Sequence, residues 1–230
     1  MHLLANITII AFDLDDTLWP CMPTLERAEQ TLYRWLEQHY PRITERYTAI
    51  ELTDLRKQIM TQDKRFTIDF SLMRQELLKR LATEAKYDPN QVSERGFDVF
   101  YTARQEVSFY DDVLPCLERL QSKYRLGAIS NGNASVEKVG LGHLIEHAVS
   151  ASELQVAKPD KLIFHHLVER FGVSVDRVLY VGDHPLYDIV GSIDAGLQAV
   201  WINRENTTWP ADLPHPKYQI SNLHELELLL

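Results

Sequence analysis

The sequence predicts an α/β fold in which a parallel β-sheet lies between layers of helices, with a helical block inserted after the first strand. Two observations support this prediction. From about residue 112 onward, short apolar runs alternate with segments of helical periodicity, which is typical of parallel strands joined by helical crossovers. Between the first apolar run and this alternation, residues 24–103 show helical periodicity with few strand-like runs.

The predicted first strand ends in a cluster of acidic residues. Residues 7–12, ITIIAF, form an apolar run that suits a strand buried on both faces. Asp13 and Asp15 follow it and would point to the same side of an extended backbone. Two such carboxylates repel each other unless a cation or a shared proton offsets their charge. The pair therefore predicts a divalent-metal site at the carboxyl end of the strand, where open α/β sheets bind ligands.

The helical block after this strand predicts four helices. Apolar residues recur at helical spacing over residues 25–36, 52–59 and 70–81. The dipeptide Asp88-Pro89 is typical of a helix N-terminus and predicts a fourth helix that begins there. We expect these helices to pack as a small bundle of their own.

The rest of the chain alternates strands with helices. Apolar runs predict strands over residues 126–130, 148–150, 178–181, 199–202 and, at an edge, 218–221. Apolar periodicity predicts helices over residues 113–120, for a short stretch after Ser135, and over residues 159–171 and 186–193. Asp112 is expected to cap the first of these helices, and Gly172 to end the third in a left-handed conformation.

The overall composition is that of an ordinary globular protein. The 230 residues are 45% hydrophobic and 25% charged, and the formal net charge of −9 argues against nucleic acid or an anionic membrane as the main partner. No stretch approaches the roughly 18 consecutive apolar residues of a membrane-spanning helix. Cys21 and Cys116, the two cysteines, are far apart in the sequence, which fits a reducing compartment without a structural zinc site. We expect a cytoplasmic protein that is a monomer or a dimer.

Candidate functional residues fall at the ends of the predicted strands. They are Asp13, Asp15, the segment Ser130-Asn131-Gly132, Lys158, Asp183 and Asp188. Each alone has a common structural explanation, such as a helix cap for Asp183 or a simple turn for Asn131-Gly132. Their combination, in this order on parallel strand ends, indicates one site.

These motifs resemble those of the haloacid dehalogenase-like (HAD) superfamily, most of whose members are phosphatases. The four family motifs correspond here to DLDDT at residues 13–17, SNG at 130–132, AKPD with Lys158, and GDHPLYD at 182–188. The resemblance covers the whole chain. It implies a three-layer, Rossmann-like catalytic core with a helical cap inserted into it.

The resemblance also implies the domain boundaries. Residues 1–18 and 108–230 would form the catalytic core, and residues 19–107 would form a helical cap of the family's first type. The short segment between Gly132 and Lys158 leaves no room for the family's larger second type of cap.

The resemblance assigns roles to the acidic residues. Asp13 would be the nucleophile that forms an aspartyl-phosphate, and Asp15 the general acid and base. Mg²⁺ would be held by Asp13, by Asp183 and by Asp15, the last through its main-chain carbonyl. Asp188 would orient Lys158 or a metal-bound water, and Thr17 would support the loop that carries the nucleophile.

The remaining motif residues would bind the transferred phosphoryl group. Ser130 and the backbone amides near Asn131 and Gly132 would bind its oxygens, and Lys158 would neutralise charge on it and on Asp13. We expect a small phosphorylated metabolite as the substrate.

Several alternatives stay open. The segments SNGNA, GLGHLIEH (Gly140–His147) and WINRENTTWP (Trp201–Pro210) are similar to a bacterial branch that dephosphorylates flavin mononucleotide or the ribitylaminouracil phosphate of riboflavin synthesis. Relatives of that branch hydrolyse nucleoside 5′-monophosphates, and a phosphomutase would share all four motifs. A 2-haloacid dehalogenase is disfavoured because such enzymes lack the residue corresponding to Asp15. A catalytically silent interaction module is disfavoured because all four motifs keep their functional residues.

Overall fold

The computed structural model describes Leu4 and residues 6–230. These residues divide into two compact units: the sheet unit, which contains the described residues up to Pro20 together with Ser108–Leu230, and the helical unit, Cys21–Val107. Among the described residues, none of the helices has the length and apolar character that crossing a bilayer requires.

The helical unit contains the four predicted helices and two short additions. The helices are α1 (Cys21–His39), α2 (Pro41–Thr44), α3 (Ala49–Met60), α4 (Phe70–Glu84) and α5 (Pro89–Arg104), with a 3₁₀ turn at Lys64–Thr67. The Asp88 carboxylate accepts hydrogen bonds from the N–H groups of Asn90 and Gln91, which confirms the predicted start of α5. Helix α2 and the 3₁₀ turn were not predicted because four residues are too few to show a periodicity.

The sheet unit confirms the predicted parallel α/β architecture. Its strands are β1 (Ile9–Phe12), β2 (Arg125–Ser130), β3 (His147–Ser150), β4 (Val178–Gly182), β5 (Gln198–Ile202) and β6 (Gln219–Ile220). All neighbouring pairs are parallel, in the order β3-β2-β1-β4-β5-β6. Strand β1 is central, and its four residues are fully buried. The carboxyl ends of β1, β2 and β4 therefore lie side by side.

The helices of the sheet unit are α6 (Val113–Gln121), α7 (Ala151–Leu154), α8 (Lys161–Phe171), α9 (Gly191–Asp194) and α10 (Leu223–Leu229). Gly172 ends α8 with a φ of 65°, as predicted. Two predictions are wrong. Residues 136–140 form turns rather than a helix, and Pro185–Val190, predicted as an ordinary helix, is a π-helix that continues into α9.

A third prediction is wrong in its mechanism. Asp112 stands at the N-cap position of α6, but its side chain caps no N–H of that helix. The carboxylate instead accepts hydrogen bonds from the backbone N–H of Leu223 (2.5 Å) and from the guanidinium of Arg204. Asp112 thus joins three distant parts of the sheet unit, which local sequence cannot indicate.

Candidate active site

Lys158 lies at the centre of a buried polar cluster at the carboxyl ends of β1, β2 and β4. Its Nζ lies 2.5 Å from Asp13 Oδ1, 2.6 Å from Asp188 Oδ1, 3.0 Å from the Tyr180 hydroxyl and 3.3 Å from the carbonyl oxygen of Ile129. Lys158 is 4% exposed, Asp13 6% and Asp188 1%. One buried ammonium therefore contacts two buried carboxylates.

Three carboxylates converge at this point. Asp13, Asp183 and Asp188 each offer an oxygen, and these oxygens lie within 4.8 Å of one another. The carboxylate of Asp15 lies outside this group; its Oδ1 accepts a hydrogen bond of 2.9 Å from the indole N–H of Trp19. Among the described residues, the acidic side chains that could together hold a metal ion are thus Asp13 and the two acids that follow β4.

Burial raises the pKa of two acids of the cluster, Asp13 and Asp183. Burial raises the pKa of Asp13 well above its usual range, the carboxylates of Asp188 and Asp183 add to this effect, and Lys158 opposes it. Burial, with Asp188 next, raises the pKa of Asp183 to about 7, against the hydrogen bond from Thr17. The pKa of Lys158 is raised although burial alone would lower it, because Asp13 and Asp188 stabilise the ammonium. Negative charge thus exceeds positive charge here, and a bound cation would stabilise the ionised acids.

Hydrogen bonds within the loop and to Asp183 hold the loop that follows β1. The N–H of Leu18 donates to the carbonyl of Leu14 (2.8 Å), and Asp16, with a left-handed φ of 59°, donates its N–H to the carbonyl of Trp19. The hydroxyl of Thr17 donates to Asp183 Oδ1 at 3.1 Å. Thr17 therefore connects the DLDDT loop directly to the acid that follows β4.

The SNG segment after β2 is tied to the Lys158 loop. The side chain of Asn131 donates to the carbonyl of Lys158 (3.0 Å) and accepts from its N–H (2.8 Å). Ser130 Oγ accepts from the N–H of Gly132 at 2.9 Å. The Asn131 side chain thus fixes the backbone from which Lys158 reaches the cluster.

The segment after β4 is shaped around Asp188. The second oxygen of Asp188 accepts from the N–H of His184 at 2.9 Å, and the π-helix carries this carboxylate back against the end of the strand. A Cβ on Gly182 would lie 2.4 Å from Asp188 Cγ. Only glycine at position 182 leaves room for the Asp188 side chain. The π-helix that carries Asp188 is of a kind that is frequent at functional sites.

The sequence did not predict three residues of this site. The hydroxyl of Tyr180 contacts Lys158, Asp188 and the carbonyl of Ile129. The indole N–H of Trp19 donates to Asp15 Oδ1, and the indole N–H of Trp201 donates to the carbonyl of Asp183 at 2.7 Å. One general rule could have pointed to these three residues: a buried Tyr or Trp usually has a hydrogen-bond partner for its polar group.

Comparison with known proteins relates this geometry to a family. The sequence model of a family described as haloacid dehalogenase-like hydrolase matches residues 7–196. The chain is 28% identical to the 5-amino-6-(5-phospho-D-ribitylamino)uracil phosphatase YigB of Escherichia coli strain K12, over 99% of this chain and 98% of that protein. It is 29% identical to the glyceraldehyde 3-phosphate phosphatase of Methanopyrus kandleri, over 86% of this chain and 84% of that protein.

The fold is also similar to solved structures. The crystal structure of a 2-haloacid dehalogenase from Pseudomonas syringae pv. Tomato DC3000 is 34% identical in sequence and matches with a TM-score of 0.90, over 97% of both chains. Similar proteins therefore carry both phosphatase and dehalogenase names, and the residues of the site must distinguish the two reactions.

Proposed function

This chain belongs to the haloacid dehalogenase-like hydrolase family, and from that premise we propose that it is a Mg²⁺-dependent phosphatase of small phosphorylated metabolites. One observation carries the proposal. The carboxylates of Asp13, Asp183 and Asp188 converge within 4.8 Å of one another, and Lys158 contacts two of them. Such a site combines a nucleophile, oxygen ligands and a fixed cation for an anionic substrate.

The acidic residues divide the chemistry. A carboxylate oxygen of Asp13 attacks phosphorus, the bond from phosphorus to the ester oxygen breaks, and an aspartyl-phosphate forms. Asp15 gives a proton to the departing oxygen and then takes one from the water that hydrolyses the intermediate. The indole N–H of Trp19, 2.9 Å from Asp15 Oδ1, supports this role because it fixes the orientation of the carboxylate.

The side chains present suit Mg²⁺, because this ion prefers oxygen ligands and the acids of the cluster gain from a nearby cation. Asp13, Asp183 and the main-chain carbonyl of Asp15 would hold it. Bound there, Mg²⁺ would offset negative charge so that the Asp13 carboxylate can approach a phosphate. Asp188 serves to orient Lys158, since its two oxygens already accept from Lys158 and from the N–H of His184.

The phosphoryl group itself is bound by the SNG segment and by Lys158. Ser130 and the backbone amides near Asn131 and Gly132 contact its oxygens, and Lys158 balances its charge. The helical unit serves as the cap domain that selects the leaving group, and the reaction takes place in the cytoplasm.

The substrate we favour is the ribitylaminouracil phosphate of riboflavin synthesis or flavin mononucleotide. The similarity to YigB over nearly the whole chain supports this choice. A nucleoside 5′-monophosphate is the alternative within the same reaction, and the similarity to a pyrimidine 5′-nucleotidase, YjjG of Escherichia coli strain K12, supports it over half of this chain.

Haloacid dehalogenation is a second candidate reaction, favoured by the similarity to the Pseudomonas syringae protein. A halide leaves without a proton, so a dehalogenase has no use for a general acid at the position of Asp15. The presence of Asp15, held by Trp19, therefore favours phosphate ester hydrolysis.

The test is a substrate panel with the purified protein, with Mg²⁺ and with EDTA. p-Nitrophenyl phosphate reports the reaction class, and flavin mononucleotide, ribitylaminouracil phosphate, pyrimidine 5′-monophosphates and 2-chloropropionate separate the candidates. We expect Mg²⁺-dependent phosphate release and no chloride release. Chloride release without phosphatase activity would replace the proposal with dehalogenation, and inactivity on every phosphate ester would end it.

A further inference from the structure

The segment Trp201–Pro210, which begins with the last two residues of β5, has no role in the mechanism above, yet hydrogen bonds hold it in place. The side chain of Asn203 accepts from the N–H of Thr207 and donates to its carbonyl, both at 2.9 Å. The backbone N–H of Asn203 donates to the carbonyl of Ile220 at 2.8 Å. These bonds close a turn on buried Asn203 and fix the backbone from which Arg204 projects.

The guanidinium of Arg204 is held on three sides within the sheet unit. Its Nε donates to the carbonyl of Thr17 at 2.9 Å. Its two Nη atoms donate to the two oxygens of Asp112 at 3.1 and 3.2 Å, and its Cζ lies 4.0 Å from the centre of the Tyr110 ring. The ion pair is largely buried, with side chains 10% and 8% exposed. Such a bidentate pair fixes the guanidinium in both position and plane.

The contact to Thr17 leads directly to the candidate metal ligands. Thr17 is fully buried; its carbonyl accepts from Arg204, and its hydroxyl donates to Asp183 Oδ1 at 3.1 Å. Trp201, three residues before Arg204, donates to the carbonyl of Asp183 at 2.7 Å. One segment therefore fixes Asp183 twice, once through its backbone and once through Thr17 and its carboxylate.

We propose that Arg204 is a positioning residue that sets the geometry of Thr17 and Asp183 for a divalent cation. The proposal rests on the proposed function, because it concerns the Mg²⁺ site of that reaction. In this role Arg204 would contact neither the phosphoryl group nor the cation. It acts through the Thr17 backbone, as residues that orient metal ligands do in other metal sites.

A merely structural role makes a different prediction. If Arg204 only stabilised the fold, its replacement would lower the melting temperature but leave the response to Mg²⁺ unchanged. If it positions Asp183, the Mg²⁺ concentration for half-saturation must rise. Both quantities can be read from thermal melting curves recorded over a Mg²⁺ titration, without any turnover.

The experiment compares Arg204→Met and Arg204→Lys with a matched control. Arg119→Met removes another bidentate Arg–carboxylate pair of the same unit, the one between Arg119 and Glu227. We expect Arg204→Met to raise the half-saturating Mg²⁺ concentration about 10-fold or more. Arg204→Lys keeps the charge but loses the fork and should show a smaller rise. Arg119→Met should match the wild type.

A double-mutant cycle tests the route through Thr17. Thr17→Val removes the hydroxyl that donates to Asp183 and should itself weaken Mg²⁺ binding. If Arg204 acts through Thr17, the double variant Arg204→Met/Thr17→Val should bind Mg²⁺ little more weakly than Thr17→Val alone. The Mg²⁺ activation constant of p-nitrophenyl phosphate turnover should follow the same order.

The outcomes are distinct. An unchanged half-saturating Mg²⁺ concentration in both Arg204 variants, or additive effects in the cycle, would overturn this inference while leaving the proposed function intact. If Arg204→Met does not fold, the Arg204→Lys variant decides. A half-saturating Mg²⁺ concentration equal to that of the wild type in Arg204→Lys would then overturn the inference. A wild-type protein whose melting does not respond to Mg²⁺ would instead remove the proposed metal site, and this inference with it.

Discussion

Both units bury a cationic side chain against aromatic and acidic neighbours, but the balance of charge differs. In the helical unit, buried Arg74 stacks 3.9 Å from the centre of the Phe100 ring and pairs with Glu29, which Arg56 also contacts. Two guanidinium groups thus share one carboxylate, and Arg56 and Glu29 remain about a quarter exposed. In the sheet unit, one ammonium serves two buried carboxylates, with Asp183 nearby.

This difference separates the helical cluster from the proposed active site. The helical cluster places its second guanidinium on Arg56, which is about a quarter exposed to water. The sheet cluster keeps its excess negative charge in a buried place, where only protons or a bound cation can offset it. A buried excess of charge is thus the better indication of a site that awaits a ligand.

The largest effect on turnover is expected from replacing Asp13, the proposed nucleophile. Asp13→Asn keeps the size of the side chain but removes the attacking oxygen, so turnover of p-nitrophenyl phosphate should fall at least about a thousand-fold. The circular dichroism spectrum should stay that of the wild type. Glu227→Gln, which deletes a carboxylate paired with Arg119 in the same unit, is the matched control and should keep wild-type turnover. Near-normal turnover by Asp13→Asn would mean that another residue is the nucleophile.

The second prediction tests the buried negative charge through pH. Burial raises the pKa of Asp183 to about 7, whereas an unfolded Asp titrates near about 3.9. The folded state therefore binds this proton more tightly, and the resulting stabilisation is complete below about pH 4 and lost as the pH rises through about 7. In EDTA, the free energy of unfolding in urea should fall by about 1–3 kcal/mol across this window.

Two variants show whether Asp183 causes this pH dependence. Asp183→Asn should reduce the slope, and saturating Mg²⁺ should reduce it in the wild type. Asp54→Asn, in an exposed pair with Lys57 in the helical unit, should leave it unchanged. The same slope in Asp183→Asn as in the wild type would show that the charge of Asp183 is not the cause.

The third prediction concerns the helical cluster. Glu29→Gln leaves buried Arg74 without its charged partner, and we expect it to cost about 1–2 kcal/mol in urea unfolding, less than for a fully buried pair because Glu29 is partly exposed. Glu76→Gln, which breaks the exposed pair with Arg80, should cost no more than about 0.5 kcal/mol. Equal costs for the two would mean that burial does not distinguish the helical cluster from a surface pair.

The smallest expected effect is that of a single hydroxyl. Tyr180→Phe removes the group that contacts Lys158 and Asp188, and should lower stability by about 1 kcal/mol and turnover a few-fold. Tyr40→Phe, whose hydroxyl lies 3.4 Å from Gln91 Oε1 in the helical unit, is the control and should change neither measurably. A Tyr180→Phe protein with wild-type turnover would mean that the carboxylates alone suffice to hold Lys158.

The sequence predicted the residues of the candidate site that lie at the ends of strands. An apolar run ending in Asp13 and another ending in Gly182-Asp183 are local patterns, and parallel pairing brings such ends together whatever the intervening chain does. The parallel sheet and the four longer helices of the helical unit were also predictable, because their apolar patterns are local in the sequence.

What the sequence could not predict depends on contacts between distant residues. Asp112 has the local pattern of a helix cap, but its carboxylate is taken by Leu223 and Arg204, more than 90 positions away. Tyr180 lies in a strand whose apolar pattern it fits, and only the folded sheet shows that its hydroxyl contacts Lys158. The turns at residues 136–140 have helical composition, yet left-handed Gly140, with a φ of 92°, stops helix formation.

The central position of β1 has a consequence for biosynthesis. Ile9 pairs with Arg125 on one side and with Val178 on the other, so the strand that carries Asp13 finds its second neighbour only after most of the chain exists. The helical unit is continuous in sequence, and its contacts can form while later residues are still being synthesised. Asp183 and Asp188 belong to the last quarter of the chain. During synthesis Asp13 therefore appears well before Asp183 and Asp188, and a nascent chain that ends before β4 would lack two of the three carboxylates of the cluster.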